Sequence, residues 1–72
     1  MGEVLAFPLQ GTTVLSDVRG QGRALQVTWH EHDDVFVVSM WRSGRCVGSI
    51  RLTPQDAATL IGSLGEGLAR RR

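Results

Sequence analysis

Cysteine is almost missing from this chain, and lysine is missing altogether. Cys46 is the only cysteine among 72 residues, which excludes an intramolecular disulfide. All eight basic residues are arginines, a compositional bias that points to a GC-rich genome. No apolar run approaches the length of a membrane span, and no signal peptide or lipidation motif is recognisable. A cytoplasmic protein with no membrane partner is therefore the expectation. Internal repeats, low-complexity tracts and catalytic signatures are likewise absent from the sequence. The formal net charge of +1 is too balanced to announce a nucleic-acid partner by itself.

A chain of 72 residues makes one domain at most and buries a small share of its surface. Without a disulfide or an evident metal site, oligomerisation is the usual remaining way to enlarge a core.

The periodicities lie between Leu25 and Leu68. Leu25-Gln26-Val27-Thr28-Trp29-His30 alternates apolar and polar, the pattern of a strand with one buried face. Val35-Phe36-Val37-Val38-Ser39-Met40-Trp41 is apolar at nearly every position, so it reads as a central strand covered on both faces. Arg45 to Leu52 is a third, mixed run. Glu31-His32-Asp33-Asp34 and Ser43-Gly44 are turn formers between the runs. A two-residue turn at His32-Asp33 pairs Trp29 with Phe36, Val27 with Val38 and Leu25 with Met40.

The second hairpin leaves two registers open. A two-residue Ser43-Gly44 turn sets Val47, Ser49 and Arg51 opposite Met40, Val38 and Phe36. A loop one residue longer, or a bulge at Gly48, sets Cys46, Gly48, Ile50 and Leu52 on that face instead. The latter is preferred because it buries Ile50 and Leu52.

Thr53, Pro54 and Asp56 are an N-cap, a first helical residue and a first-turn acid. Ala57, Leu60, Ile61, Leu64 and Leu68 follow on one helical face. Gly62, Gly65 and Gly67 each weaken a helix by about 1 kcal/mol relative to alanine. Either another backbone approaches there, or the helix frays beyond Leu64. Upstream, Val4 to Phe7 reads as an edge strand or an arm on a neighbouring subunit, and Thr12 to Val18 as a further strand.

The expectation is one α+β domain: an antiparallel meander of three or four strands, then one amphipathic helix, in the order β-β-β-β-α. Its parts are an N-terminal strand or arm region (1–23), the meander (24–53), the helix (54–69) and a basic tail (70–72). One helix cannot cover both faces of the central strand, so a homodimer is expected. Its interface would involve Val35, Val37, Leu60, Ile61 and Leu64.

Candidate chemistry is sparse. His30-Glu31-His32-Asp33-Asp34 is the one cluster of metal-ligand types, but no further Cys or His completes a tetrahedral site, and no cofactor is implied. Cys46 lies at the hairpin opposite the two histidines and reads as a small apolar residue rather than a nucleophile. Nothing supports an enzyme. Trp41 reads either as an interface residue or as a stacking platform beside Arg42, Arg45 and Arg51, a combination suited to single-stranded nucleic acid.

The stretch Leu25 to Leu64, with Ile50-Arg51-Leu52-Thr53-Pro54 leading into a helix carrying Leu60, resembles the transcriptional positive-cofactor-four-like coactivators. The resemblance implies a four-stranded sheet packed on a C-terminal helix, a homodimer, and binding of single-stranded DNA with Arg45 and Arg51 facing it. The chain departs from the family pattern at Ala57, where the family has an aromatic, at Gly48 and Ser49, where it has basic residues, and in lacking lysine.

Two functions follow as expectations. One is a dimeric single-stranded DNA-binding protein in transcription regulation or genome maintenance, with contacts through Trp41, Arg42, Arg45 and Arg51. The other is a dimeric adaptor that binds a protein partner through its sheet face.

Overall fold

The computed structural model describes residues 11–71 and contains four antiparallel strands followed by one helix. The strands are β1 (Thr12–Ser16), β2 (Arg23–His30), β3 (Val35–Arg42) and β4 (Arg45–Leu52); the helix is α1 (Pro54–Arg70). Each strand pairs with its chain neighbour, so the sheet order is β1-β2-β3-β4. This is the expected α+β meander, with Thr12–Ser16 supplying the fourth strand. The Val4 to Phe7 run lies outside the described residues.

Alternation in β2 fixes the first register: Trp29 pairs with Phe36, Val27 with Val38 and Leu25 with Met40, as expected. The connection differs. His30 and Val35 are the last pair, and Glu31–Asp33 forms a 3-10 turn that Asp34 closes at φ 54°. Asp tolerates this left-handed conformation better than most residues. A four-residue connection centred on the same point leaves the register unchanged.

The second hairpin combines the two expected alternatives. Ser43 and Gly44 both have positive φ, 52° and 82°, which makes a two-residue turn of type I′. The register then slips between Met40 and Trp41: Cys46 opposes Trp41 while Gly48 opposes Met40, leaving Val47 as the extra residue of a bulge. Beyond it, Ile50 pairs with Val38 and Leu52 with Phe36.

Residues directly opposite on antiparallel strands share a face. One face thus carries Leu25, Val27, Trp29, Phe36, Val38, Met40, Ile50 and Leu52 and is apolar. The other carries Gln26, Thr28, Val35, Val37, Ser39, Trp41, Cys46, Ser49 and Arg51 and is mixed. On the apolar face the Trp29 and Phe36 rings lie 4.5 Å apart at 41°, a favourable tilted pair.

The Thr53 hydroxyl accepts a hydrogen bond from the Asp56 amide at 3.1 Å, capping α1 as its sequence implies. The helix then runs through Gly62, Gly65 and Gly67 to Arg70 without a break, one residue longer than expected. It approaches β3 and β4, with Pro54 and Ala57 half-buried, and every residue from Ala58 onward is exposed. No described residue is fully buried. Full burial of a Leu or Ile side chain is worth about 1.5–3 kcal/mol, and none of the described residues realises it.

Candidate nucleic-acid interface

The strand register separates the residues that looked clustered in the sequence. Arg42 and Arg45 are directly opposed beside the Ser43-Gly44 turn, on the side of the sheet that carries Met40. Trp41 opposes Ala24 and Cys46, on the mixed face. Arg51 shares that face but opposes Val37, four residues along β3 from Trp41, or about 13 Å. The four residues therefore form two pairs on opposite faces rather than one lined trough. Val35 and Val37 share the mixed face with Trp41 and Arg51. A second copy covering these valines would also cover Arg51.

The register assembles a different group. Arg23 opposes Arg42, and Arg42 opposes Arg45, so three arginines occupy one rung across β2, β3 and β4. No ion pair joins any of them to a carboxylate among the described residues. The neighbouring rung on the same face is Leu15, Leu25, Met40 and Gly48, apolar throughout. Leu15 and Met40 are each 55% exposed, and Val47 in the bulge is 64% exposed.

These two rungs frame a hollow of about 550 Å³, lined by Leu15, Leu25, Met40 and Val47 together with Arg19, Arg23 and Arg42. No residue of α1 reaches it. Asp17 and Trp41 also border it, and the Trp41 indole N–H is buried without a hydrogen-bond partner among the described residues.

One step beyond the Arg23–Arg42 pair, two turns are tied together. The Gly22 carbonyl accepts a hydrogen bond from the Ser43 amide at 2.8 Å, which clasps the β1–β2 loop to the β3–β4 turn. Gly22 sits at φ 71°, and a Cβ there would lie 3.1 Å from the Ser43 nitrogen. Only glycine meets both demands without strain. Within the loop the Arg19 guanidinium donates to both carboxylate oxygens of Asp17, at 3.1 and 2.7 Å, and the Arg19 amide donates to the same carboxylate at 2.7 Å. These bonds hold Asp17 well below the usual carboxylate range and raise the Arg19 guanidinium. The Arg23 guanidinium donates to the Gln21 side chain at 2.6 Å.

Among the described residues no group of three His, Cys, Asp or Glu side chains is placed to hold a metal ion. His30 and His32 are exposed, as is Cys46. No described helix is long and apolar enough to cross a membrane.

Sequence reasoning missed Arg23. The signal was present, because the register that pairs Leu25 with Met40 also pairs Arg23 with Arg42. No family model, curated protein or solved structure matches this chain.

Proposed function

We propose that the protein is a homodimeric, single-stranded nucleic-acid-binding protein acting in transcription regulation or genome maintenance. The observation that carries this reading is the rung of Arg23, Arg42 and Arg45 beside exposed apolar side chains. Arginine forks suit phosphate oxygens, and apolar side chains suit the faces of unpaired bases. The likeness to the positive-cofactor-four-like coactivators supports the same reading.

Dimerisation is supported by what one copy leaves uncovered. Leu60, Ile61, Leu64 and Leu68 are 45 to 70% exposed, and no described side chain is fully buried. The 17 residues of α1 span about 25 Å, close to the length of an eight-residue strand. A helix of one copy is long enough to cover the strands or the helix of the other. The arginine rung stands about 20 Å along the strands from the Phe36–Leu52 pair where the chain enters α1, so the same molecule has room for both surfaces.

Titration of a single-stranded oligonucleotide against the protein over a range of salt tests the function. Affinity is expected to fall steeply with salt, because each neutralised phosphate releases counterions. Absence of single-strand binding at low salt would reject it. A second reading, a dimeric adaptor for a protein partner, is favoured by the exposed Val14 and Leu15 on the edge strand β1. A partner that stays bound to the protein after nuclease treatment would favour it.

A further inference from the structure

Building on the nucleic-acid reading above, we infer that the hollow is a pocket for one unstacked nucleoside phosphate. The phosphate lies across Arg23 and Arg42, and the base rests on Leu15, Leu25, Met40 and Val47. Like charges directly opposite on neighbouring strands destabilise a sheet, since their Cβ atoms are only about 5 Å apart. Three arginines in one rung repeat that penalty twice across the sheet. An anion shared between Arg23 and Arg42 removes the repulsion and is held by charge-assisted bonds.

The volume and lining narrow the ligand further. A space of about 550 Å³ falls within the range of small-ligand sites and suits a single nucleotide unit. Its apolar rung is adjacent to the charged one, the order in which a base and its phosphate present themselves. The hollow has room for one nucleotide unit, so a strand places one base in it. A base can enter only if it leaves its stack. Single strands are favoured over duplex, in which unstacking and unpairing must be overcome first.

Equilibrium binding with the full chain tests this. The ligands are a deoxynucleoside 5′-monophosphate, deoxyribose 5-phosphate, a short single strand, and that strand annealed to its complement. The expected order is single strand, then monophosphate, then sugar phosphate about tenfold weaker for want of a base, with the duplex bound less tightly than the single strand. Arg42→Gln should weaken monophosphate binding about tenfold and lower the salt slope of the single strand by about one. Arg23→Gln should do the same, and stands in if the first variant fails to fold. Met40→Trp, which fills the hollow from an exposed position, should erase the preference for monophosphate over sugar phosphate while leaving the salt slope unchanged. Undiminished single-strand binding by all three folded variants would overturn the pocket and leave the nucleic-acid reading standing. Monophosphate bound with a base preference, but no single strand bound at low salt, would uphold the pocket and reject that reading. If the wild-type chain binds neither, both fall.

Discussion

The β2–β3 hairpin and α1 are both built from strongly apolar residues, yet one is sheltered and the other bare. From Leu25 to Trp29 and from Val35 to Ser39 every residue is half-buried, because each strand has a neighbour on both sides. The apolar stripe of α1, equally regular, is exposed at every residue beyond Ala57 among the described residues. The helix also carries Gly62, Gly65 and Gly67, each with open space beside it among the described residues. Together these cost about 3 kcal/mol of helix propensity relative to alanine. A helix with this composition and so little packing against the described residues is what the proposed dimer would cover.

The largest test of that contrast is Leu64→Glu. In a solitary copy the site is mostly exposed, and such a change stays within about 0.5 kcal/mol. In the proposed dimer it puts a carboxylate into an apolar contact. The expected loss is more than about 3 kcal/mol, seen as dissociation by sedimentation and a collapse of the urea midpoint. Unchanged stability and mass would break the comparison.

Trp29→Ala probes the sheltered side. Its ring packs on Phe36 in a half-buried pair, so the expected loss is about 2–3 kcal/mol, below the ~3–5 kcal/mol of a fully buried aromatic. Urea denaturation at fixed protein concentration measures it. A loss as large as that of Leu64→Glu would mean that helix and sheet are equally covered in solution.

Much of the sheet was legible because β2 alternates without exception from Leu25 to Trp29, and one slip would have flipped each of those side chains. The second hairpin was legible in its outcome, since the preferred register with a bulge sets Gly48, Ile50 and Leu52 on the apolar face, but not in its detail. Ser43-Gly44 demands a two-residue turn, while Ile50 and Leu52 demand the register of a longer one, and only the extra residue Val47 satisfies both. The site was harder still. Trp41 and Arg42 are sequence neighbours, which in a strand places them on opposite faces, so nearness along the chain was the wrong measure. Arg23 is the last residue of the expected N-terminal region. It joins the arginines only once β2 is extended by one residue.

A smaller effect is expected at the clasp beside the hollow. Gly22→Ala imposes a left-handed conformation on a residue with a Cβ and crowds the Ser43 backbone. A loss of about 1–2 kcal/mol follows from the conformation alone. The comparison sharpens if amide exchange in this variant rises at Ser43 and in the β1–β2 loop while α1 is unaffected. Exchange rising equally in α1 would show that the two ends of the molecule open together.

The smallest effect belongs to Asp17, whose pKa is depressed by its hydrogen bonds to the Arg19 guanidinium and backbone. The unfolded carboxyl titrates near 3.9 and the folded one well below it, so the folded state holds fewer protons through that interval. Its contribution is therefore complete above the ordinary carboxylate pKa and is lost as pH falls below it. Because both partners face water, salt weakens the pair. Acid titration followed by NMR should show the Asp17 carboxyl titrating well below the usual carboxylate range, with the β1–β2 loop loosening as it does so. The Asp17→Asn variant should lack that loosening step while keeping the acid response of the rest of the sheet. An Asp17 that titrates with the ordinary carboxylates would mean that Arg19 is free in solution, and therefore available to a phosphate in the hollow it borders.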